Sequence, residues 1–208
     1  MSELAYVLSH GDDAVTEAAV RSMEQGGWRL LVRHGGVDAP PVTVGPVAGV
    51  VYIPGLLAEG EGIQTDPAVA LMDLVDALRP RMSPVADGGA RVVAVGSRDW
   101  LGWPSRPRLA AKAAGLVAAV RSLALAHGQE GITVNAVIAT PPEAAARRTA
   151  GPAPGTHLYE PVPLTGEPVT PEDIAAAITF FLDRRSGYIT GQVLHCCGGA
   201  SLLSSLSV

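Results

Sequence analysis

Apolar residues in this chain fall into two patterns: short, nearly unbroken runs, and longer stretches where they recur every three or four positions. The runs lie at 5–9, 28–32, 47–53, 91–95, 132–138 and 192–195. Runs of this length predict strands buried on both faces of a sheet. Between the first two, Val15, Ala19 and Met23 trace a helical face that stops at Gly26-Gly27. A strand–helix–strand opening favours a parallel sheet. Residues 67–82 predict a helix with Leu71, Leu74, Val75 and Leu78 on one side. Residues 108–126 carry the strongest helical pattern: Leu109, Leu116, Val120 and Leu123 share a face, with Ala and Gly between them. Small residues there let a neighbouring helix approach closely. Thr170-Pro171-Glu172-Asp173 combines an N-cap hydroxyl, a proline at the first helical position and a carboxylate at the third. That predicts a helix running to Leu182. Residues 35–46 are rich in Gly and Pro, with room only for a short strand at 42–44. Residues 141–169 predict a long loop that covers a site or moves. The whole reads as one α/β domain over 1–208, with no repeat or linker.

Composition narrows the function. The chain is 48% hydrophobic and 17% charged, which excludes an extended disordered protein. A net charge of −5 argues against nucleic acid or an anionic membrane surface as partner. No basic segment precedes an apolar run at the N-terminus, and no apolar stretch of about 18 residues runs without polar interruption. Neither a signal peptide nor a membrane span is expected, and the expected location is the cytoplasm. The two cysteines, Cys196 and Cys197, are adjacent, a spacing that opposes a structural bridge and fits free thiols. No metal-ligand cluster stands out; His10 and Asp12 supply too few ligands. Of 15 basic residues only Lys112 is a lysine, which marks it for attention in a chain otherwise biased toward arginine.

Four ordered segments then match one family. These are Arg91-Val92-Val93-Ala94-Val95-Gly96-Ser97, Ala110-Ala111-Lys112-Ala113-Ala114-Gly115-Leu116, Gly131-Ile132-Thr133-Val134-Asn135-Ala136-Val137, and Tyr188-Ile189-Thr190-Gly191-Gln192-Val193-Leu194-His195 closing with Gly198-Gly199. Residues 90–208 thereby resemble the C-terminal half of the short-chain dehydrogenase/reductase family. The resemblance implies a Rossmann-like, doubly wound parallel sheet of six or seven strands. It places Ser97 at the active-site serine and Lys112 at the lysine of the family's Tyr-x-x-x-Lys.

Residues 1–89 keep the layout and lose the chemistry. The family's Thr-Gly-x-x-x-Gly-x-Gly turn, where backbone approaches a pyrophosphate, reads Ser9-His10-Gly11-Asp12-Asp13-Ala14-Val15-Thr16. His10, Ala14 and Thr16 replace glycines. Asp12 and Asp13 bring negative charge that would repel a phosphate by roughly 3 kcal/mol at about 5 Å and an effective dielectric near 20. Both aspartates are also expected to cap the following helix. The family's Asn-Asn-Ala-Gly becomes Tyr52-Ile53-Pro54-Gly55, and about a helix's worth of chain is missing after Trp28. At the catalytic tyrosine stands Arg108, which stays protonated and cannot shuttle a proton. The nucleotide-binding half is therefore shortened and degenerate, and no cofactor is expected in this chain.

Three readings follow. The first is a non-catalytic partner that assembles with a catalytic short-chain dehydrogenase/reductase, which holds NADP, through helices 67–82 and 108–126. The pattern is similar to the shorter, inactive subunit of aminocoumarin-pathway heterotetramers in bacterial antibiotic biosynthesis. There the pair acts on a β-hydroxyacyl group tethered to a carrier protein. The second is a repurposed cyclase, isomerase or lyase, with Arg108 and Lys112 binding an anion and Ser97, Asp99 and Tyr52 completing a polar pocket. The third is an NADPH-dependent ketoreductase with an unusual site, for which Tyr52 or Tyr188 would have to supply the missing hydroxyl. Trp100 and Trp103 are expected to cover an apolar loop or interface.

Overall fold

In the computed structural model, residues 2–35, 45–57, 65–102, 106–140 and 162–203 are described. Strands β1 (Leu4–Ser9), β2 (Arg29–His34), β3 (Val47–Ile53), β4 (Ala90–Ser97), β5 (Ile132–Ala139) and β6 (Val193–Cys196) form a sheet ordered β2-β1-β3-β4-β5-β6. Every pairing is parallel. This is the Rossmann-like doubly wound architecture, with six strands.

The unbroken apolar runs have a direct cause. Side chains alternate across each strand, and both faces are covered by helices. Tyr6, Leu8, Val50, Val92, Val134 and Ile138 enter the core beneath α2 (Pro67–Leu78) and α3 (Pro107–His127). Val7, Val51, Val93 and Val137 enter the core beneath α1 (Asp13–Gln25) and α4 (Pro171–Leu182). A short α5 (Ala200–Leu203) follows β6.

Several boundaries differ from those the sequence predicts. Helix α2 stops at Leu78 and passes into a 3₁₀ turn at Arg79–Arg81, short of residue 82. Arg79 itself stays α-helical (φ −48°, ψ −45°), but Pro80 has no N–H to continue the i→i−4 ladder, so the α-helix gives way there. Strand β4 continues through Gly96 and Ser97 because both pair with Ile138 and Ala139 of β5. β2 extends to Arg33 and His34, which pair with Leu8 and Ser9 despite their polarity. The segment from Pro107 to Glu130 is long and apolar enough to cross a membrane by length and composition alone, although Lys112 and Arg121 interrupt it. Here it is a core helix, its Ala113, Leu116, Val117 and Val120 buried against the sheet. The proposed strand at 42–44 and most of the 141–169 loop lie outside the described residues. The end of that loop is seated: Leu164 N–H donates to Gly198 O at 2.6 Å.

Candidate functional site

In a parallel sheet of this order, the strand order reverses between β1 and β3, and ligands ordinarily enter the crevice beyond the carboxyl ends of those strands. His10 N–H donates to Ile53 O at 2.8 Å, continuing the β1–β3 ladder one step past the Ser9–Ile53 pair. Beyond that rung the chain's own groups span the crevice. Leu57 N–H donates to Asp12 Oδ2 at 3.2 Å. Gly55 lies so close that a Cβ on it would come within 2.9 Å of His10 O, and its φ of 79° independently favours glycine. The His10 ring meets Tyr52 edge-on, centroids 5.7 Å apart.

Below this bridge the β1–α1 turn is tied to itself. Ser9 Oγ donates to Gly11 O at 2.7 Å and lies 2.8 Å from Thr16 Oγ1. Thr16 Oγ1 donates to Asp12 O at 3.2 Å. Thr16 therefore points inward at Ser9, while Asp13 and Ala14 are exposed on the first turn of α1. The expectation that Asp12 caps α1 is corrected. Asp12 occupies the cap position, but in a left-handed conformation (φ 57°) its side chain makes no capping bond and reaches Leu57. Burial lowers the His10 pKa, keeping the imidazole neutral. Burial, then the Asp66 charge, raises that of Tyr52. Tyr52 is 1% exposed and so is no substitute proton donor. A neutral ring, a carboxylate and touching backbones do not fit a dinucleotide's pyrophosphate, which needs open amide donors and positive potential.

The second half of the site lies at the carboxyl end of β4. Ser97 is completely buried, and its Oγ accepts the Asp99 N–H at 3.2 Å, capping the 3₁₀ turn Arg98–Leu101. Asp99 is buried, its Oδ2 2.7 Å from Nη2 of Arg106, the residue that enters α3. Desolvation raises the Asp99 pKa, against the lowering effect of Arg106 and then Arg98. Trp100 Nε1–H donates to His195 Nε2 at 3.1 Å, the rings nearly parallel with centroids 5.9 Å apart. His195 must be neutral at Nε2 to accept, and desolvation followed by the Arg98 charge lowers its pKa accordingly.

The structure thus brings Ser97 and Asp99 together with three residues the sequence did not single out for chemistry: Arg98, Arg106 and His195. Only their spatial convergence identifies them. Tyr52 meets His10 edge-on at the β1–β3 crevice. Arg108 is exposed on the first turn of α3, and Lys112 is half-buried one turn later. Tyr188 is fully exposed and cannot serve as a sheltered acid. Cys197 is buried beside Ser201, and burial raises the Cys196 pKa to about 11, so Cys196 remains a thiol at neutral pH. Trp103 lies outside the described residues. Among the described residues no three His, Cys, Asp or Glu side chains converge as a metal site. Chemically, the β4 end has a serine already in use and a histidine whose acceptor is satisfied. A permanently cationic arginine stands one turn before the lysine.

The model of a family described as Enoyl-(Acyl carrier protein) reductase matches residues 65–201. The chain is 37% identical over 128 residues to the (2S)-[(R)-hydroxy(phenyl)methyl]succinyl-CoA dehydrogenase subunit BbsD of Thauera aromatica, covering 55% of this chain and 46% of that protein. It is 29% identical over 220 residues to subunit BbsC of the same organism, covering 100% of this chain and 83% of that one. The 3-oxoacyl-[acyl-carrier-protein] reductase FabG of Rickettsia bellii matches at 36% over 98 residues, 47% of this chain and 40% of that one. The chain thus spans about half the length of BbsD and of FabG. Among solved structures, a Serratia marcescens short-chain dehydrogenase/reductase superposes with a TM-score of 0.69 at 18% identity, over 96% of this chain and 97% of that one. A putative 3-oxoacyl-reductase from Bacillus thuringiensis gives a TM-score of 0.70 at 18% identity, over 95% and 98%. The β4–α3 unit with Ser97 and Lys112, the Asn135 strand and the Gly198-Gly199 turn fall within the matched residues, and the chain belongs to the short-chain dehydrogenase/reductase family.

Proposed function

We propose that this chain is a non-catalytic subunit of a cytoplasmic dehydrogenase or reductase complex, paired with a catalytic member of its own family that holds the nicotinamide cofactor, NADP in our reading. The observation that carries this is Arg108 at the position of the family's proton donor. An exposed guanidinium neither gives nor takes a proton at neutral pH, and Lys112 follows it by one turn, at the spacing of the family's lysine after its tyrosine. The bridged crevice at β1 and β3 supports the same reading.

Similarity to two subunits of one dehydrogenase, over the whole chain for BbsC and half of it for BbsD, supports a multi-subunit assembly. The name of that enzyme describes a hydroxyl β to a CoA thioester carbonyl. The substrate proposed here is accordingly a thioester-linked β-hydroxy or β-keto acyl group, carried by an acyl or peptidyl carrier protein in bacterial antibiotic biosynthesis, with CoA the competing carrier. The proposed contact surface is the outer side of α2 and α3, where Val69, Met72 and Leu125 stand exposed. Apolar side chains there would be covered in an assembly.

Co-expression with a short-chain dehydrogenase/reductase encoded beside this chain tests the proposal. The expected result is a stable complex that oxidises a β-hydroxyacyl thioester and loses activity without this chain. Parallel assays with carrier-protein and CoA thioesters separate the two carriers. Turnover by the isolated chain would refute a non-catalytic role. Replacing Lys112 by Ala should leave the complex's turnover intact, whereas the repurposed-enzyme reading requires its loss.

A further inference from the structure

An aspartate before a helix ordinarily spends its carboxylate on the helix's own first amides. Asp12 does not, although it occupies the cap position of α1. Its backbone is left-handed at φ 57°, the one non-glycine residue with positive φ among those described. That conformation is disfavoured for a residue with a Cβ and persists only where other contacts hold it. The contact here is long-range: Oδ2 accepts from Leu57 N–H across 45 positions. Leu57 and its neighbour Leu56 are both buried, Leu56 in the α2–α3 core and Leu57 in the α1–α4 core. The amide that Asp12 holds thus belongs to a turn anchored in both layers of the fold.

We propose that the Asp12 carboxylate is the tie that closes the switch-point crevice, so that the N-terminal half of the fold is complete without a dinucleotide. The His10–Ile53 bond extends the β1–β3 ladder to the edge of the two turns, and Gly55 lets those turns approach closely. Asp12 fixes them by anchoring one side-chain anion between the β1–α1 turn and the β3 turn. The inference rests on the proposed function only in taking the chain to work without its own cofactor.

Amide hydrogen exchange on the full chain tests it. In the wild type the Leu57 amide, bonded to Asp12 Oδ2, is expected to exchange slowly. Asp12→Gly tolerates the left-handed backbone while removing the acceptor, and should speed Leu57 exchange by about tenfold, the order expected when one hydrogen bond is lost from a local opening. Asp12→Asn keeps a neutral acceptor of the same shape and should give an intermediate rate; it also serves if the glycine variant does not fold. Unchanged Leu57 exchange in both variants overturns the tie and leaves the proposed function standing. Thermal melts of the wild type with NAD⁺ or NADP⁺ form the second arm. No shift in midpoint is expected, and a clear rise overturns both the closed crevice and the cofactor-free reading.

Discussion

The ion pair between Asp99 and Arg106 allows a prediction that geometry and electrostatics specify together. Asp99 is 1% exposed at its side chain and Arg106 is 26% exposed, with 2.7 Å between the charged atoms. At that distance and an effective dielectric near 20 the gross attraction is about 6 kcal/mol. All of it goes against the cost of burying the carboxylate, which still leaves the Asp99 pKa raised. Removing one partner of a buried pair costs about 3–5 kcal/mol, because the survivor stays buried and uncompensated. Arg106 is partly solvated and Arg98 still faces Asp99, so Arg106→Ala should cost about 2–4 kcal/mol at neutral pH. The pH dependence is the stricter test. Desolvation already raises the Asp99 pKa above its ordinary 3.8, and losing Arg106 raises it further. A raised carboxylate pKa means the folded state holds its proton longer than the unfolded state, so stability falls as pH rises from about 4. The deficit of Arg106→Ala should therefore be small near pH 4 and grow toward pH 7. Adding Asp99→Asn should abolish that growth by removing the charge. Urea unfolding at several pH values measures it. A deficit independent of pH, or unchanged by Asp99→Asn, would refute the argument that a buried carboxylate needs this arginine.

Other perturbations give equally definite expectations. Asn135 donates to Ile189 O at 2.8 Å and accepts from Gln192 N–H at 3.0 Å, so Asn135→Leu should cost about 2–4 kcal/mol in denaturant unfolding by leaving both groups unpaired. Thr170→Ala breaks the capping box of α4 and should cost about 1 kcal/mol, read from the thermal midpoint. The Asp173 pKa is lowered by bonds from the Thr170 backbone and hydroxyl, so this contribution should be present above pH 3.8 and fade as pH falls below it. Arg108→Tyr restores the family's spacing to Lys112, yet an NAD(P)-coupled assay with a β-hydroxyacyl thioester should find no turnover, because Ser97 stays sealed and the crevice bridged; turnover would show that one residue alone silenced the chain.

How much of this was written along the chain depends on the range of each interaction. The strands of a doubly covered parallel sheet must be apolar on both faces, so Val47–Ile53 is legible as a run and coincides with β3. The Thr170–Asp173 capping box is local to four residues, and its bonds form as its spacing predicts. Strand ends were less legible. Gly96, Ser97, Arg33 and His34 are poor strand formers held in register by neighbours distant in sequence.

The sequence by itself determined the family fold, and it fixed which residues stand at 9–16 and at 108, since each is a matter of residue identity at a fixed spacing. Only the tertiary structure decided what those regions bond to. Asp12 leaves its helix to hold Leu57, and Trp100 bonds His195 from 95 positions away. Asp99 spends its charge on Arg106 above a sealed Ser97. The reason is physical: a side chain's partner is set by backbone conformation and by which loops the sheet brings together, and neither is encoded in the spacing of neighbours.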